Sequence, residues 1–448
     1  MRALCVVVMA LSALGAQAAE PADSIQAIRA ELERMKAEQA ARAAEMQKLE
    51  ERLAALEAAA GAAPAASSPA IPPAQPAVAP AAEPEAAAGA APTAPASPQP
   101  VPAVARAAEP ASRLVVSGDL RLRYENNVGD DDARDWSRGT VRGRLGARYA
   151  ITDWATVGAR LATGDPDDPN SSDVTLSNFD DDFDFALDQA YAEVKQGGVT
   201  AWGGKFATPF VKTGLVWDGD VNPQGLGATY EMPLGGAKLK VSGLYFLVDN
   251  SVAGSDSSMW GGQLGVELPL GEATKIQLAA AMYDYTLAGL AGADAGDIRS
   301  NLIGPDGRYV SDFDLADAIA TLSYEGWGGW PLHLTAEYVK NRGARVDGDT
   351  GYNVELTAGA TEAPGDWKLS YGYSVAEVDA VLAAFSHDDT TIATNYRQHS
   401  LVVNYALTKH VLLDLTWYRY RPYDASFALL NDPDDWLDRL RLHFLVTF

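Results

Sequence analysis

Residues Leu440-Arg441-Leu442-His443-Phe444-Leu445-Val446-Thr447-Phe448 alternate with a period of two. Leu440, Leu442, Phe444, Val446 and Phe448 share one face, and Arg439, Arg441, His443 and Thr447 share the other. Successive strand side chains point to opposite sides, so this stretch is a strand with one apolar and one charged face. Such a strand suits either a half-buried sheet or a barrel wall whose outside meets lipid.

The same pattern opens the region. Leu114, Val116, Leu120, Leu122 and Tyr124 face one way, while Ser117, Asp119, Arg121, Arg123 and Glu125 face the other. Connections between such strands fall into two classes. Short ones lie near residues 152–154, 196–198, 233–237, 269–274, 326–330, 361–366 and 408–410. Long, Asp-rich ones alternate with them at 126–137, 165–182, 207–224, 249–257, 287–313, 341–350, 375–395 and 421–436. Seven short turns and eight long loops require sixteen strands with both ends on the short-turn side. A soluble sandwich has no reason to sort its loops, whereas a transmembrane antiparallel β-barrel does. Trp154, Tyr230, Trp330, Trp367 and Phe448 at one set of strand ends, and Tyr124, Tyr338 and Tyr373 at the other, fit the two lipid–water boundaries. Leu440, Leu442, Phe444, Val446 and Phe448 also resemble the signal read by the barrel-assembly machinery, which makes that machinery an expected partner.

Ahead of the barrel the chain changes character three times. Met1 and Arg2, the apolar Ala3–Gly15 and the small residues Ala16 and Ala18 read as a signal peptide over 1–18. Cys5, the single cysteine, would leave with it. Over 21–57, Ile25, Ile28, Leu32, Met35, Gln39, Arg42, Met46, Leu49, Leu53 and Leu56 keep an unbroken heptad frame. Glu31 with Lys36, and Arg52 with Glu57, give opposite charges at neighbouring g and e positions. Ile at both a and d favours a trimeric coiled coil. Residues 58–112 are mostly Ala and Pro, which cannot build a core and predict a disordered, extended linker. At about 3.1 Å per residue that linker reaches on the order of 150 Å. Coil and linker are expected in the periplasm, where residues 21–57 either hold a homotrimer together or contact the cell wall.

Several functions are disfavoured. No stretch of about eighteen apolar residues offers a spanning helix. A net charge of -25 argues against a nucleic-acid partner. No nucleophile elbow, zinc-protease motif or phosphate-cradling loop is present, and neighbouring Ser386, His387 and Asp388 lack the converging geometry of a triad. No enzymatic role, cofactor or metal site is therefore expected. Asp165, Asp167 and Asp168, and Asp180, Asp181, Asp182 and Asp184, lack the spacing of a calcium loop. They read as outer loops that meet lipopolysaccharide and its bridging cations.

Five blocks carry a family resemblance. They are Gly118-Asp119-Leu120-Arg121-Leu122-Arg123-Tyr124-Glu125, Arg142-Gly143-Arg144-Leu145-Gly146, Gly158-Ala159-Arg160-Leu161-Ala162-Thr163-Gly164, Gly203-Gly204-Lys205-Phe206, and Trp217-Asp218-Gly219-Asp220-Val221-Asn222-Pro223-Gln224-Gly225. Together they make residues 117–448 similar to the bacterial family called "Putative porin". The resemblance implies an outer-membrane diffusion channel and names no solute. In general porins the third long loop folds inward; here it carries Trp217, Asp218 and Asp220. Arg121, Arg123, Arg142, Arg144, Arg148, Arg160 and Lys205 occupy inward positions of the early strands and form a basic wall. Facing acidic loop residues, that wall would set a transverse field across the pore. The simpler alternative is that these cations pair with Asp119, Glu125, Asp188 and Glu193 and stiffen the barrel. The ambiguous strand is 186–194, where Asp188 and Gln189 are adjacent and only one can obey the alternation.

Overall fold

Strands whose two faces differ this sharply cannot stop at an open edge inside hydrocarbon, because unpaired backbone groups find no water there. The computed structural model shows the sheet closed. It describes residues 113–129, 135–165, 168–176, 183–250, 255–288, 300–428 and 433–448. The signal peptide, the coiled coil and the linker fall outside the described residues.

In chain order the strands are β1 (Leu114–Val128), β2 (Trp136–Ala150), β3 (Ala155–Thr163), β4 (Val174–Thr175), β5 (Phe185–Gln196), β6 (Val199–Lys205), β7 (Gln224–Leu234), β8 (Ala237–Asp249) and β9 (Ser257–Pro269). They continue as β10 (Thr274–Thr286), β11 (Asp314–Tyr324), β12 (Leu332–Asn341), β13 (Thr350–Gly359), β14 (Trp367–Ala376), β15 (Tyr396–Ala406), β16 (Val411–Pro422) and β17 (Leu437–Thr447). β4 is a two-residue stitch from the second long loop onto Thr140 and Val141 of β2. The other sixteen form one antiparallel ring, as the turn count requires. Leu114 pairs with Tyr149 beside the first short turn, and Asp119 pairs with Thr447, so β1 begins and β17 ends on the short-turn side.

The usual distribution of burial is inverted. Leu120, Leu122, Tyr124, Leu440, Leu442 and Phe444 are exposed on the outer face, while Arg123, Glu125, Arg142, Arg439 and Arg441 are buried inside. Lipid, not water, meets the outer face. An arginine or lysine there would cost about 2–4 kcal/mol at the bilayer midplane and much less near the interfaces, so outward charges such as Arg419 and Asp438 sit at strand ends.

Closure depends on a missing side chain. Gly118 and Phe448 exchange backbone hydrogen bonds of 3.0 and 3.1 Å. The Phe448 ring lies over Gly118, where a Cβ would sit 2.5 Å from both the ring and the Arg144 carbonyl oxygen. We predict that Gly118→Val loses about 1–3 kcal/mol through this overlap. Gly243→Val, with nothing within 4 Å of the added carbon, should stay within about 0.5 kcal/mol of the parent. Urea unfolding in detergent or lipid measures both; equal stability of the two variants would refute the seam assignment.

Candidate pore constriction

The lumen has two unlike walls. On one side β8 to β12 turn apolar residues inward: Leu244 and Phe246, Met259, Tyr283 and Tyr285, Leu315, and Val339. On the other, β1, β2 and β17 turn arginines inward. Long loops settle on the apolar wall and reach across towards the charged one.

The third long loop, residues 206–223, is held by Trp217, whose relative exposure is 0%. Its ring stacks on Phe385 at 6.0 Å and meets Tyr283 edge-on at 5.6 Å. Gln263 of β9 clasps the loop backbone at both Val211 N–H and Val211 C=O, at 2.7 and 2.8 Å, and Thr213 bonds Glu337 of β12. Truncating a buried tryptophan costs about 3–5 kcal/mol, and stranding a buried cation costs about as much, so the aromatic anchor and the Asp220 ion pairs hold this loop from its two sides.

The seventh long loop, residues 377–395, also turns inward. Asn301 of the fifth long loop donates to the carbonyls of Val378 and Val381, each at 2.9 Å, and accepts from Ala383 N–H at 2.8 Å. Ser311 donates to Asp379 at 2.7 Å. The two inward loops join where Asp218 N–H meets the Phe385 carbonyl at 2.8 Å and His387 N–H meets that of Gly214 at 3.0 Å.

So held, the loops present carboxylates to the arginines. Arg142 and Arg144 both bond Asp119, at 2.9 and 2.7 Å, and both reach Asp220, at 3.6 and 2.9 Å. Arg121 and Arg123 meet Asp173 of the second long loop at 2.6 and 2.8 Å. Arg441 bridges Glu125 and Asp389, each at 2.9 Å, and Arg439 binds the Asp389 carbonyl at 2.9 Å. Burial opposes ionisation of Asp220, yet Arg142, Arg144 and Arg121 hold its carboxyl down to about 2. Asp173 is likewise held well below the usual range, against its burial, by Arg121 and Arg123. Asp218 behaves oppositely: burial and then the neighbouring Asp388 and Asp220 push it up, and Lys212 donates to its backbone carbonyl, not its carboxylate.

The positions singled out in the sequence separate into groups. Arg121, Arg123, Arg142 and Arg144 come together on the charged wall. Arg148 lies nearer the short turns and pairs with Glu193 at 3.0 Å. Arg160 pairs with Asp188, and Lys205 lines a cavity that Asp188 and Asp220 also border. Asp119, Glu125, Asp188 and Glu193 all take the stiffening partners considered for them, while Asp220 adds the loop contact. Asp220 faces the arginines, but Trp217 on the same loop faces away from any water path. The ambiguity at Asp188 and Gln189 is resolved by a β-bulge. The register against β3 shifts between Arg160 and Leu161 and gives Asp188 no partner of its own, so both residues point inward. Asn222 of the third loop then binds both, at 2.7 Å each.

Four contributors escape the strand pattern: Asp173, Asp388, Asp389 and Asn301 sit on loops. Arg439 and Arg441 were legible as inward residues of the last strand; ring closure makes them neighbours of Arg123 and Glu125. Ser386 donates to the carbonyls of Ala383 and Ala393, not to His387, whose Nδ1 accepts from Asp389 N–H at 3.3 Å. Asp168 accepts from the backbone of Asn170 and Ser171. Asp167 and Asp180, Asp181 and Asp182 lie outside the described residues.

A family model described as "Putative porin" matches residues 128–292 and 308–424, more than half of the 448 residues. The chain belongs to this family. Among solved structures, OprB of Pseudomonas putida at high pH is 14% identical, with a TM-score of 0.52 over 75% of this chain and 94% of that one. OmpT of Vibrio cholerae, in trimer form, is 11% identical with a TM-score of 0.45 over 75% and 99%. An anion-selective porin from Comamonas acidovorans is 15% identical with a TM-score of 0.42 over 75% and 99%. These identities speak to fold alone, and only the OprB likeness carries it. A search of curated proteins finds no match.

In this porin-family chain the Asp220 lock has a defined pH window. Its folded value lies below the ordinary carboxylate value of about 3.9, so its stabilisation is complete above that and is lost as pH falls towards about 2. We expect a component of single-channel current noise to emerge between those limits and to be absent in Asp220→Asn. A midpoint near neutrality for that component would refute the assignment.

Proposed function

We propose that this barrel is an outer-membrane porin through which small hydrophilic solutes and ions diffuse passively. One observation supports it above the rest: Asp220 is carried by an inward loop hung on the apolar wall and reaches Arg144 of the opposite wall at 2.9 Å. Opposed charges at a narrow point orient water and dipolar solutes and resist apolar ones. Filtering is electrostatic in this reading; no residue is assigned a catalytic role and no cofactor is invoked.

The test is conductance in planar bilayers under a salt gradient. Arg142→Ala with Arg144→Ala should move the reversal potential severalfold in permeability ratio towards cations, and Asp220→Asn should move it towards anions. A closed barrel without conductance would sink the porin reading. Unchanged reversal potentials in a conducting channel would sink only the constriction.

The side on which β1 begins supports a second role, periplasmic tethering by residues 21–57 through the Ala/Pro linker. The heptads favour a homotrimer through the same residues. Deleting 21–112 separates the two. Lost trimers with normal envelope attachment would favour assembly; detached envelopes with intact trimers would favour the tether.

A further inference from the structure

Beside the arginine wall lies a cavity of about 290 Å³, bounded by β3, β5 to β8 and the second, third, fifth and seventh loops. Its volume is near the lower end of the ligand-site range of about 300–1,000 Å³. The strands bend out of regularity where they border it. Among the described strand pairs of the ring, two register shifts occur, one leaving Asp188 of β5 unpaired and one leaving Val248 of β8 unpaired. Both residues line this cavity, as does Asp249. Gly204 and Gly225 oppose each other across β6 and β7 with φ of +119° and +147°. A Cβ on either would sit 2.2 or 2.1 Å from a neighbouring carbonyl oxygen. They adjoin Lys205 and Gln224, which also line the cavity. Bulges re-aim side chains and recur beside functional sites; here four irregularities converge on one space.

The lining has a polar and an apolar side. Phe246, Leu382 and Phe385 form the apolar side. On the polar side Asp188 is engaged by Arg160 and Asn222, and Asp220 by Arg142, Arg144 and Ser172. Asp165 and Asp168 belong to a hydrogen-bonded turn. Lys205 and Asp249 form no ion pair or side-chain hydrogen bond among the described residues. Lys205 pairs with Gln224, and Asp249 lies on β8 two residues beyond the position facing Gln224, about 12 Å from Lys205 at the backbone by the usual strand spacing and rise. One ammonium and one carboxylate are thus available beside an apolar surface.

We infer that this cavity is a solute-binding subsite for small zwitterions with an apolar side chain, of amino-acid size. The solute carboxylate meets Lys205 and the Gln224 amide, its ammonium meets Asp249, and its side chain packs on Phe246, Leu382 and Phe385. The inference rests on the porin reading and adds a solute class to it.

Block of ion current by four solutes that share the isobutyl side chain tests it: leucine, 3-methylbutylamine, 4-methylpentanoate and 4-methylpentanamide. Leucine should half-block at a concentration about tenfold below the amine and the acid, each of which lacks one charge-assisted bond, and further below the amide, which lacks both. Lys205→Met should bring leucine to the level of the amine, and Asp249→Asn to that of the acid. A silent channel overturns both readings. A conducting parent channel that all four block alike, or that the amine or the acid blocks best, overturns this one alone.

Discussion

The lumen is organised by the dry packing of Trp217 against Tyr283 and Phe385. A loop entering a sixteen-stranded barrel has no intrinsic reason to stay there, since its backbone is as well solvated outside. The indole fixes it inside, and Gln263 fixes its height along the wall by clasping Val211. Only then do Asp218 and Asp220 have a defined position. The charged contact between loop and wall is therefore a consequence of apolar packing on the opposite side of the barrel.

The arginines require that consequence in turn. Arg142 has 1% side-chain exposure and Arg441 3%, and a buried cation without a partner is destabilising by about 3–5 kcal/mol. Wall carboxylates Asp119 and Glu125 supply part of the compensation; loop residues Asp173, Asp220 and Asp389 supply the rest. Charges of one wall and shape of the other are coupled, and a loop that withdrew would strand buried cations. Three loops share that duty, and Asn170 ties the second to the Ser386 carbonyl of the seventh at 3.1 Å.

Much of this was legible in the sequence because strands report their own faces. Period two placed Arg121, Arg123, Arg142 and Arg144 inside, and sorted turn lengths placed both barrel ends on one side. What stayed hidden had no periodicity to carry it. The seventh loop showed Ser386, His387 and Asp388 as neighbours in sequence, but its inward course depends on Asn301, far away in the chain. Asp188 and Gln189 could not be reconciled without an extra residue, and alternation assumes there is none. Trp217 was read as part of an inward loop, yet neighbours alone could not say that its ring packs on Tyr283 and Phe385 while Asp220 faces the arginines. One hint was present: β10 carries Ala279, Ala281, Tyr283 and Tyr285 on its inward face, and Leu278 and Met282 on its outward face. A strand apolar on both faces must be covered on both, by lipid outside and by a loop inside.

Charge balance then sets the field between these walls. The inward arginines Arg121, Arg123, Arg142, Arg144, Arg439 and Arg441 face Asp119, Glu125, Asp173, Asp220 and Asp389, so the narrow zone is strongly polar but nearly neutral in sum. A near-neutral zone with separated signs exerts a torque on dipoles and only a weak net force on ions. Ion selectivity would then rest on the small excess of one sign, and dipolar solutes would gain most from the field. Lys205 and Asp249, without ion-pair partners among the described residues, repeat the arrangement at lower density: two opposite charges held apart by the strand spacing. A solute that carries its own separated charges would find complementary pairs both in the cavity and at the arginine wall, and Asp220 borders the two.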